Sequence, residues 1–215
     1  YSEENINRLY QDHLKFLMGA KLSLKFVQSA LDEERENLKS WERYNQQHDL
    51  YACTKTLEWD YEQTRPYKGD TLKEKRRMYL HLYYNSTRAA EDERRSNVLL
   101  AELQEELQHG KRVAEHEKLY AKYFVTKETP VRGIQVTAKQ EAIDAARKNF
   151  GFFALISNES KDAIKALEIY RNKDLCEKAF GNLKERLNMR RMLVSSELSL
   201  DGKLFVEFVS LIFLS

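Results

Sequence analysis

The sequence predicts a mixed α/β fold, in which long helices accompany a small number of buried strands. Only two prolines and seven glycines interrupt the 215 residues, and a chain so poor in helix breakers favours long helices. Two apolar runs, 14–18 and 151–157, have the length and composition of buried strands. The alternation of side-chain types over 78–84 predicts a third strand.

The elements of the first quarter of the chain follow one another as helix, strand, helix and strand. A short helix has Ser2 as its candidate N-cap and ends near Asp12. After the strand at 14–18, a charged amphipathic pattern predicts a helix over 23–47. Aromatic and β-branched residues then predict a strand over 51–61.

The strand predicted over 78–84 places Tyr79, His81 and Tyr83 on one face of a sheet. Tyr79, Tyr83 and Tyr84 could stack on nucleic-acid bases, which would give them a binding function. Aromatic side chains at strand spacing more commonly form cross-strand pairs, so the sequence favours a packing role.

The middle of the chain is predicted to be helical. A pattern dense in Glu, Arg and Leu predicts a helix over 86–109 that is ended by Gly110, and a second helix is predicted over 111–123. These helices suggest partner binding, but their heptad-like stretch is shorter than the roughly three or four heptads of a sustained coiled coil. His109 and His116 are more typical of surface histidines than of a zinc site, which needs about four ligands.

The residues after 130 alternate between strands and helices. A short strand is predicted over 133–136, and Thr137 with Gln140 forms a capping-box pattern for the helix that follows. The buried strand at 151–157 leads into a further helix, for which Ser160 is the predicted N-cap.

Charge does not by itself identify a nucleic-acid partner. The chain has 36 basic and 34 acidic residues, and its formal net charge is +2. The segment 160–191 is more basic, with nine Lys or Arg against five Asp or Glu. Contact with phosphates would explain this excess. An ordinary surface helix that ends in Arg190 and Arg191 would explain it equally, because cations suit a helix C-terminus.

Cysteine content and hydropathy argue against several classes of protein. Cys53 and Cys176 are the only cysteines and form no Cys-x-x-Cys pair, so neither a zinc cluster nor a disulfide framework is predicted. The polar first residues predict no signal peptide. The apolar run at 204–214, which contains Glu207, is shorter than the ~20 residues of a spanning helix. We therefore expect a core helix there and a reducing, cytoplasmic compartment.

Four side chains near residue 170 form the strongest functional pattern in the sequence. Tyr170, Lys173, Glu177 and Lys184 are spaced by three, four and seven residues, and a helix that advances about 100° per residue places them within a sector of roughly 60°. A carboxylate beside a phenol and two ammonium groups suits a divalent cation next to a phosphodiester. Glu and Lys at helical spacing also form ordinary solvated faces with weak ion pairs. The opposite side of the helix is apolar: Leu175, Ala179, Leu183 and Leu187.

The stretch 170–184 resembles the Y-x-x-R-x-x-x-E-x-x-x-x-x-x-K signature of DDE transposases from bacterial insertion sequences. Tyr170, Glu177 and Lys184 match three of its four defining positions. Lys173 stands where the family has Arg. It can meet a phosphate as a point charge but lacks the bidentate fork of a guanidinium.

Other parts of the chain extend this resemblance. Residues 151–158 resemble the buried strand that precedes the signature helix in the family, and 202–213 resemble the apolar segment that follows it. Residues 1–6 resemble the segment directly after the second catalytic Asp. Between 25 and 130 the resemblance is only diffuse.

The resemblance implies an incomplete RNase H-like core, a mixed sheet with helices in which two Asp from strands and one Glu from a helix converge. Residues 1–20 and 150–215 would form the C-terminal part of that core. Residues 21–149 would be a large, mainly helical insertion between the second Asp and the Glu. Both Asp residues would then precede Tyr1 in the intact protein, and the chain alone should catalyse nothing.

For the intact enzyme, the resemblance implies DNA cleavage and strand transfer of an insertion sequence by two-metal phosphoryl transfer. Glu177 would be the catalytic carboxylate and a ligand of one of two Mg²⁺ or Mn²⁺ ions, while Tyr170, Lys173 and Lys184 would bind DNA. The implied partners are transposon-end and target DNA and a second copy of the protein in a homodimeric synaptic complex. The implied location is the cytoplasm of a bacterium or archaeon, without membrane contact.

Two other interpretations of the residues stay open. The helices predicted over 86–123 are compatible with a non-catalytic helical module that binds DNA or another protein. Asp60 or Asp70 would complete a local metal site with Glu177, although neither Asp follows a strand-end motif.

Overall fold

A computed structural model describes residues 3–64, 69–129 and 133–173. These residues form both helices and antiparallel strands, so the mixed α/β class is confirmed. The strands are β1 (Leu17–Ala20), β2 (Tyr44–Asn45), β3 (Leu50–Thr64), β4 (Thr71–Tyr84), β5 (Phe124–Thr129), β6 (Gly133–Ala138) and β7 (Phe152–Ser157). The helices are α1 (Glu3–Gln11), α2 (Lys25–Leu38), α3 (Ser86–Gln108), α4 (Glu117–Tyr123), α5 (Gln140–Arg147) and α6 (163–173), and short 3₁₀ helices cover Trp41–Arg43 and Ala114–His116.

Five strands form one sheet in the order β1-β7-β4-β3-β2. Each of its pairs is antiparallel, with β7 between β1 and β4. Strands β3 and β4 form a long hairpin, in register from Tyr51 opposite Tyr84 to Thr64 opposite Thr71. The part of this hairpin beyond β7 continues as a two-stranded arm, because β7 pairs only with the last six residues of β4.

One face of the sheet packs against α1 and α2. Helix α2 buries residues three and four positions apart, as an amphipathic helix should. Trp59 of β3 lies in the same core, and its indole nitrogen donates to Asn7 Oδ1 at 2.8 Å. The core on this face includes Ile6, Val27, Leu31, Trp59, Met78, Leu80, Leu82, Ala154 and Ile156.

A second, smaller core joins the end of α3 to α4 and to the hairpin of β5 and β6. Its buried residues are Leu103 and Leu107 of α3, Tyr120 of α4 and Phe124 of β5. We call α4 together with the β5–β6 hairpin, residues 111–139, the hairpin module. Its two strands pair with each other in a separate two-stranded sheet.

The helix predicted over 23–47 is much shorter in the structure. Helix α2 ends at Leu38, and the backbone of Ser40 is extended (φ −65°, ψ 144°). The chain turns there so that Tyr44 and Asn45 pair with the beginning of β3. This sheet pairing could not be inferred from the helical pattern of α2.

The helix predicted over 111–123 is also wrong in its first half. Val113 is extended (φ −103°, ψ 126°), and its N–H donates to the hydroxyl of Tyr120 at 3.0 Å. Only Glu117–Tyr123 is α-helical. The non-helical turn lets Tyr120 reach back to the small core formed with α3.

The capping box predicted at Thr137 and Gln140 does not form. Thr137 lies inside β6, opposite Val125 of β5, and α5 begins at Gln140 without a side-chain cap. Strand β5 was not predicted, although its β-branched residues carry a strand signal. Once β5 and β6 pair, Thr137 belongs to the hairpin and is no longer available as a cap.

Strands β3 and β4 are longer than the alternating patterns at 51–61 and 78–84 indicate. The added residues are largely charged, but opposite charges face each other across the arm. Glu62 pairs with Lys73 at 2.6 Å, and Asp60 pairs with Lys75. Oppositely charged residues directly across an antiparallel pair stabilise it, so this polar stretch remains part of the sheet.

Two compact units divide the chain, Tyr1–Ala163 and Ile164–Ser215. The sheet and both cores described above belong to the first unit. Over the three described ranges, no helix is long and apolar enough to cross a membrane. Ser2 and the apolar segment 202–213 lie outside the described residues.

Candidate functional site

The connection from β7 to α6 is fixed by the side chain of Asn158. Its Oδ1 accepts from the N–H of Phe16, and its Nδ2 donates to the carbonyl oxygen of Leu14, both at 2.9 Å. The amide thereby continues the pairing of β1 with β7 for two residues beyond the strand. This explains why residues 14–16, which were predicted as strand, precede β1 rather than belong to it.

Ser157 satisfies the backbone of the same turn. Its hydroxyl donates to the carbonyl oxygen of Phe16 at 2.9 Å and accepts from the N–H groups of Glu159 (3.1 Å) and Ser160 (3.0 Å). The side chain is almost fully buried. A buried hydroxyl with all these partners holds the turn in one conformation.

Ser160 is not the N-cap of the following helix. Helix α6 begins at Ala163, and the Ser160 hydroxyl donates to the carbonyl oxygen of Asp162 at 3.2 Å instead of accepting from a helical N–H. Ala163, the last residue of the first unit, is bonded to the sheet, because the hydroxyl of Tyr83 donates to its carbonyl oxygen at 2.7 Å. This contact spans eighty residues and has no signal in the local sequence.

Tyr170 and Lys173 lie on α6, three residues apart and therefore on the same side of the helix. The ammonium nitrogen of Lys173 is 5.8 Å from the centroid of the Tyr170 ring, which is a cation–π contact. Lys173 is exposed and Tyr170 is half-buried. This pair presents a phenolic donor and a positive charge, the two kinds of group that meet phosphate oxygens.

Glu177 and Lys184, the other two members of the predicted site, lie outside the described residues, as does Cys176. The structure therefore places half of the predicted quartet and leaves the carboxylate as a prediction. Helical spacing predicts Glu177 one turn beyond Lys173 on the same face.

The residues that the structure describes do not form a metal site by themselves. Among them, no group of three or more His, Cys, Asp or Glu side chains is placed to hold an ion. Asp60, one of the two Asp residues considered as partners of Glu177, forms an ion pair with Lys75 on the arm. Asp70, the other, also has an interaction partner. Cys53 is a free thiol whose pKa is raised chiefly by burial, so it is not a reactive thiolate.

The sheet face that carries Tyr79, His81 and Tyr83 is a packing face rather than a base-stacking surface. Tyr83 is fully buried, and its ring stacks on Phe153 of β7 with centroids 4.7 Å apart and planes 11° apart. Tyr84 lies on the opposite face, and its ring centroid is 4.8 Å from that of Phe152. The packing role that the sequence favoured is confirmed, since Tyr83 and Tyr84 contact rings of the neighbouring strand and Tyr79 is buried.

His81 lies at the centre of this face and is fully buried. Its Nδ1 is 2.8 Å from the hydroxyl oxygen of Thr54, and its Nε2 has no hydrogen-bond partner in the part of the chain that the structure describes. Burial lowers the pKa of His81 to about 4, against smaller opposing effects from the Ser160 main chain and the Asp162 carboxylate. The ring is therefore neutral at physiological pH and packs below the turn that leads to α6.

Sequence reasoning missed a polar cluster around Glu106. Its carboxylate accepts from the hydroxyl of Tyr120 and lies 2.9 Å from Nδ1 of His116. Hydrogen bonding to Glu106 raises the pKa of His116, and hydrogen bonds from Tyr120 and His116 lower the pKa of Glu106. His109, by contrast, has its Nδ1 2.9 Å from the Glu105 carbonyl oxygen of its own helix. The two histidines therefore have different hydrogen-bond partners, the Glu105 carbonyl oxygen for His109 and the Glu106 carboxylate for His116.

No family model matches the chain, and neither a curated protein nor a solved structure matches it. The resemblance of 170–184 to the transposase signature therefore stays a prediction, and a function for the chain has to be argued from the chemistry of its residues.

Proposed function

We propose that this chain is the C-terminal part of a DDE transposase, whose intact form cleaves and joins the DNA of an insertion sequence. The observation that carries the proposal is the position of Tyr170 and Lys173 on one side of α6, with their side chains in contact. The same helix follows a buried strand, β7, in the order that the signature requires. Lys173, where the family has Arg, supplies a point charge to a phosphate.

In this proposal the four signature residues divide into one catalytic group and three DNA-binding groups. Glu177 would be a carboxylate ligand of one of two Mg²⁺ or Mn²⁺ ions. The two ions would stabilise the negative charge of phosphoryl transfer in the intact enzyme. Tyr170, Lys173 and Lys184 hold the backbone of the transposon end beside that carboxylate. The described residues do not complete the ion site, and the two Asp residues that would do so belong to the preceding part of the parent protein.

The proposed fold is an RNase H-like core to which β1, β7 and α6 contribute. The segment 21–149, proposed as an insertion, contains helices and strands in comparable amounts and is not mainly helical. Its hairpin of β3 and β4 pairs directly with β7. In this proposal the insertion therefore extends the sheet of the core instead of forming a separate globule.

The decisive experiment replaces Glu177 in the intact protein. We expect Glu177→Gln to abolish cleavage of a transposon-end duplex, since the amide removes a charged metal ligand, and to leave binding of that duplex largely intact. The matched control is Glu168→Gln, on an exposed position of the same helix about 200° from Tyr170, which should retain cleavage. Both activities are measured on the same labelled duplex, by gel shift and by strand nicking.

Retained cleavage by Glu177→Gln would contradict the assignment of the carboxylate. Binding of DNA by the wild-type intact protein without any cleavage would instead favour the non-catalytic module built around 86–123. Equal loss of cleavage in the Glu168→Gln control would show that the effect belongs to the helix and not to Glu177.

A further inference from the structure

The hairpin module carries an excess of positive charge. Between residues 111 and 139 the sequence has seven basic and three acidic residues, a net charge of +4, whereas the whole chain is only +2. The segment 160–191 has the same net charge of +4, so the rest of the chain is net acidic. The basic positions of the module are Lys111, Arg112, Lys118, Lys122, Lys127, Arg132 and Lys139.

Two of these lysines project from α4 on the side away from the small core. Lys118 and Lys122 are four residues apart and therefore neighbours on the helix surface. Each is two residues from the buried Tyr120, or about 160° around the helix from it. Both side chains are exposed, so α4 buries its tyrosine and presents the lysines to solvent.

A third lysine continues this surface onto β5. Phe124 points into the small core, and Lys127, an odd number of residues further along the strand, lies on the other face. Val125 shares that face and is 42% exposed. Lys127 is itself exposed and lies opposite Gln135 of β6, which is uncharged. Helix and strand follow one another without a loop, so the three lysines lie along one short continuous stretch of chain.

These lysines differ from those of the arm formed by β3 and β4. On the arm, Lys73 and Lys75 are neutralised by Glu62 and Asp60 directly across the hairpin. Lys118, Lys122 and Lys127 have no carboxylate partner among the described residues; the ammonium group of Lys122 lies over the Tyr123 ring at 4.7 Å. The arm is thus electrically balanced, and the hairpin module is not.

We propose that the surface formed by Lys118, Lys122 and Lys127 binds the sugar–phosphate backbone of duplex DNA, through residues other than Tyr170 and Lys173. Unpaired exposed lysines bind phosphates as point charges and release condensed counterions. They read no base sequence, so this contact adds affinity without specificity. The choice of duplex DNA over another polyanion rests on the proposed function.

The test is the salt dependence of DNA binding by the 215-residue chain. We expect the wild type to bind a duplex of mixed sequence, with log K falling linearly as log salt rises between about 50 and 200 mM. The triple variant Lys118→Ala, Lys122→Ala, Lys127→Ala should reduce the magnitude of that slope by about two to three, since each lost phosphate contact removes about 0.9. Replacement of the same three residues by Arg, which keeps the charge, should preserve the slope.

The matched control is Lys73→Ala with Lys75→Ala on the arm, which should leave the slope unchanged because those cations are already paired. An unchanged slope in the triple alanine variant, or an equal change in the arm control, would overturn the proposal. Binding to vesicles that contain phosphatidylserine, with none to the duplex, would identify a membrane surface and would also overturn it.

The outcome can be separated from that of the proposed function. A variant with Lys173→Ala and Lys184→Ala tests the signature helix in the same titration. If only the hairpin variant changes the slope, the hairpin site stands and the signature site fails; if only the signature variant does, the reverse holds.

Discussion

His81 is a titratable residue at the centre of the sheet, and its environment shows how distant residues set the chemistry of one side chain. Thr54, which contacts its Nδ1, is 27 residues earlier in the sequence, and the turn above the ring is almost eighty residues later. The alternating pattern of 78–84 was sufficient to predict which face His81 occupies. It could not predict the burial of the ring or its neutral state, because both depend on these long-range neighbours.

The low pKa of His81 makes the stability of the protein depend on pH. The pKa is about 4 in the folded chain and 6.5 without burial, so the unfolded state takes up the proton first as the pH falls. The free energy of unfolding should therefore drop by about 2–3 kcal/mol between pH 7 and pH 4.5 on account of this residue. Urea unfolding of the wild type and of His81→Gln at both pH values measures this fall in the free energy of unfolding. The variant should show a smaller fall, because it lacks the histidine.

His109→Gln is the control for that experiment, because it removes an exposed histidine and should show the same loss as the wild type. An equal fall of stability in the wild type and in His81→Gln would show that the buried ring does not control the response.

For the predicted site, too, the sequence could predict only what depends on local spacing. Helical spacing predicted Tyr170 and Lys173 on one side of a helix, and the Lys173 ammonium nitrogen lies 5.8 Å from the centroid of the Tyr170 ring. Their role in binding DNA stays a prediction. The Glu106 cluster was missed because Glu106, His116 and Tyr120 come together only through the turn before α4. No spacing rule for a single helix would bring these residues together.

At the scale of elements, prediction succeeded where the pattern was long and local and failed where pairing decided the structure. Helix α3 was predicted closely, since Gly110 follows it with φ +65° as expected. The structure adds that Asn85 caps its start by accepting from the Arg88 N–H. Helix α2 was predicted too long because Tyr44 pairs with β3 instead of continuing the helix. The capping box at Thr137 was wrong because Thr137 pairs with β5 as part of β6.

Gly151 holds the junction between α3 and β7. Its φ is +77°, and a Cβ atom there would lie 2.6 Å from both the Ala89 Cβ and the Asn85 carbonyl oxygen. Its N–H also donates to Asp92 Oδ2 at 3.1 Å. We expect Gly151→Ala to lower the free energy of unfolding by about 3–5 kcal/mol, from backbone strain and overpacking together, as measured by urea denaturation.

Gly69→Ala is the matched control, because Gly69 has a similar φ of +66° but, among the described residues other than its chain neighbours, no atom within 4 Å of the place that a Cβ would occupy. It should cost only the backbone strain, about 1–2 kcal/mol. Equal losses of the free energy of unfolding in the two variants would mean that overpacking between α3 and Gly151 does not contribute to the cost of Gly151→Ala.

At the scale of the whole molecule, charge is distributed unevenly over a chain that is almost neutral. The hairpin module and the segment 160–191 are both strongly basic, while the arm of β3 and β4 balances its charges across the hairpin. The net charge of the chain does not show this uneven distribution. The fold is needed to show which cations are paired. DNA binding by both groups of basic residues would account for this distribution.

The domain organisation also depends on contacts far apart in sequence. Residues 1–20 and 150–163 share one sheet with the segment 21–149, because β7 lies between β1 and β4. The sequence alone suggested an insertion there because the transposases that both ends of the chain resemble carry one between the second Asp and the Glu. It carried no signal that a hairpin of the segment would pair with β7, since strand order depends on the whole fold.

The proposed transposase function requires Glu177 to belong to a three-carboxylate site, and the coding DNA upstream of the Tyr1 codon tests this most directly. Sequencing that DNA should reveal an Asp at the end of an apolar strand shortly before Tyr1, with a second strand-borne Asp further upstream. A start codon directly before Tyr1, or an unrelated linker there, would leave Glu177 without partners and would contradict the proposal.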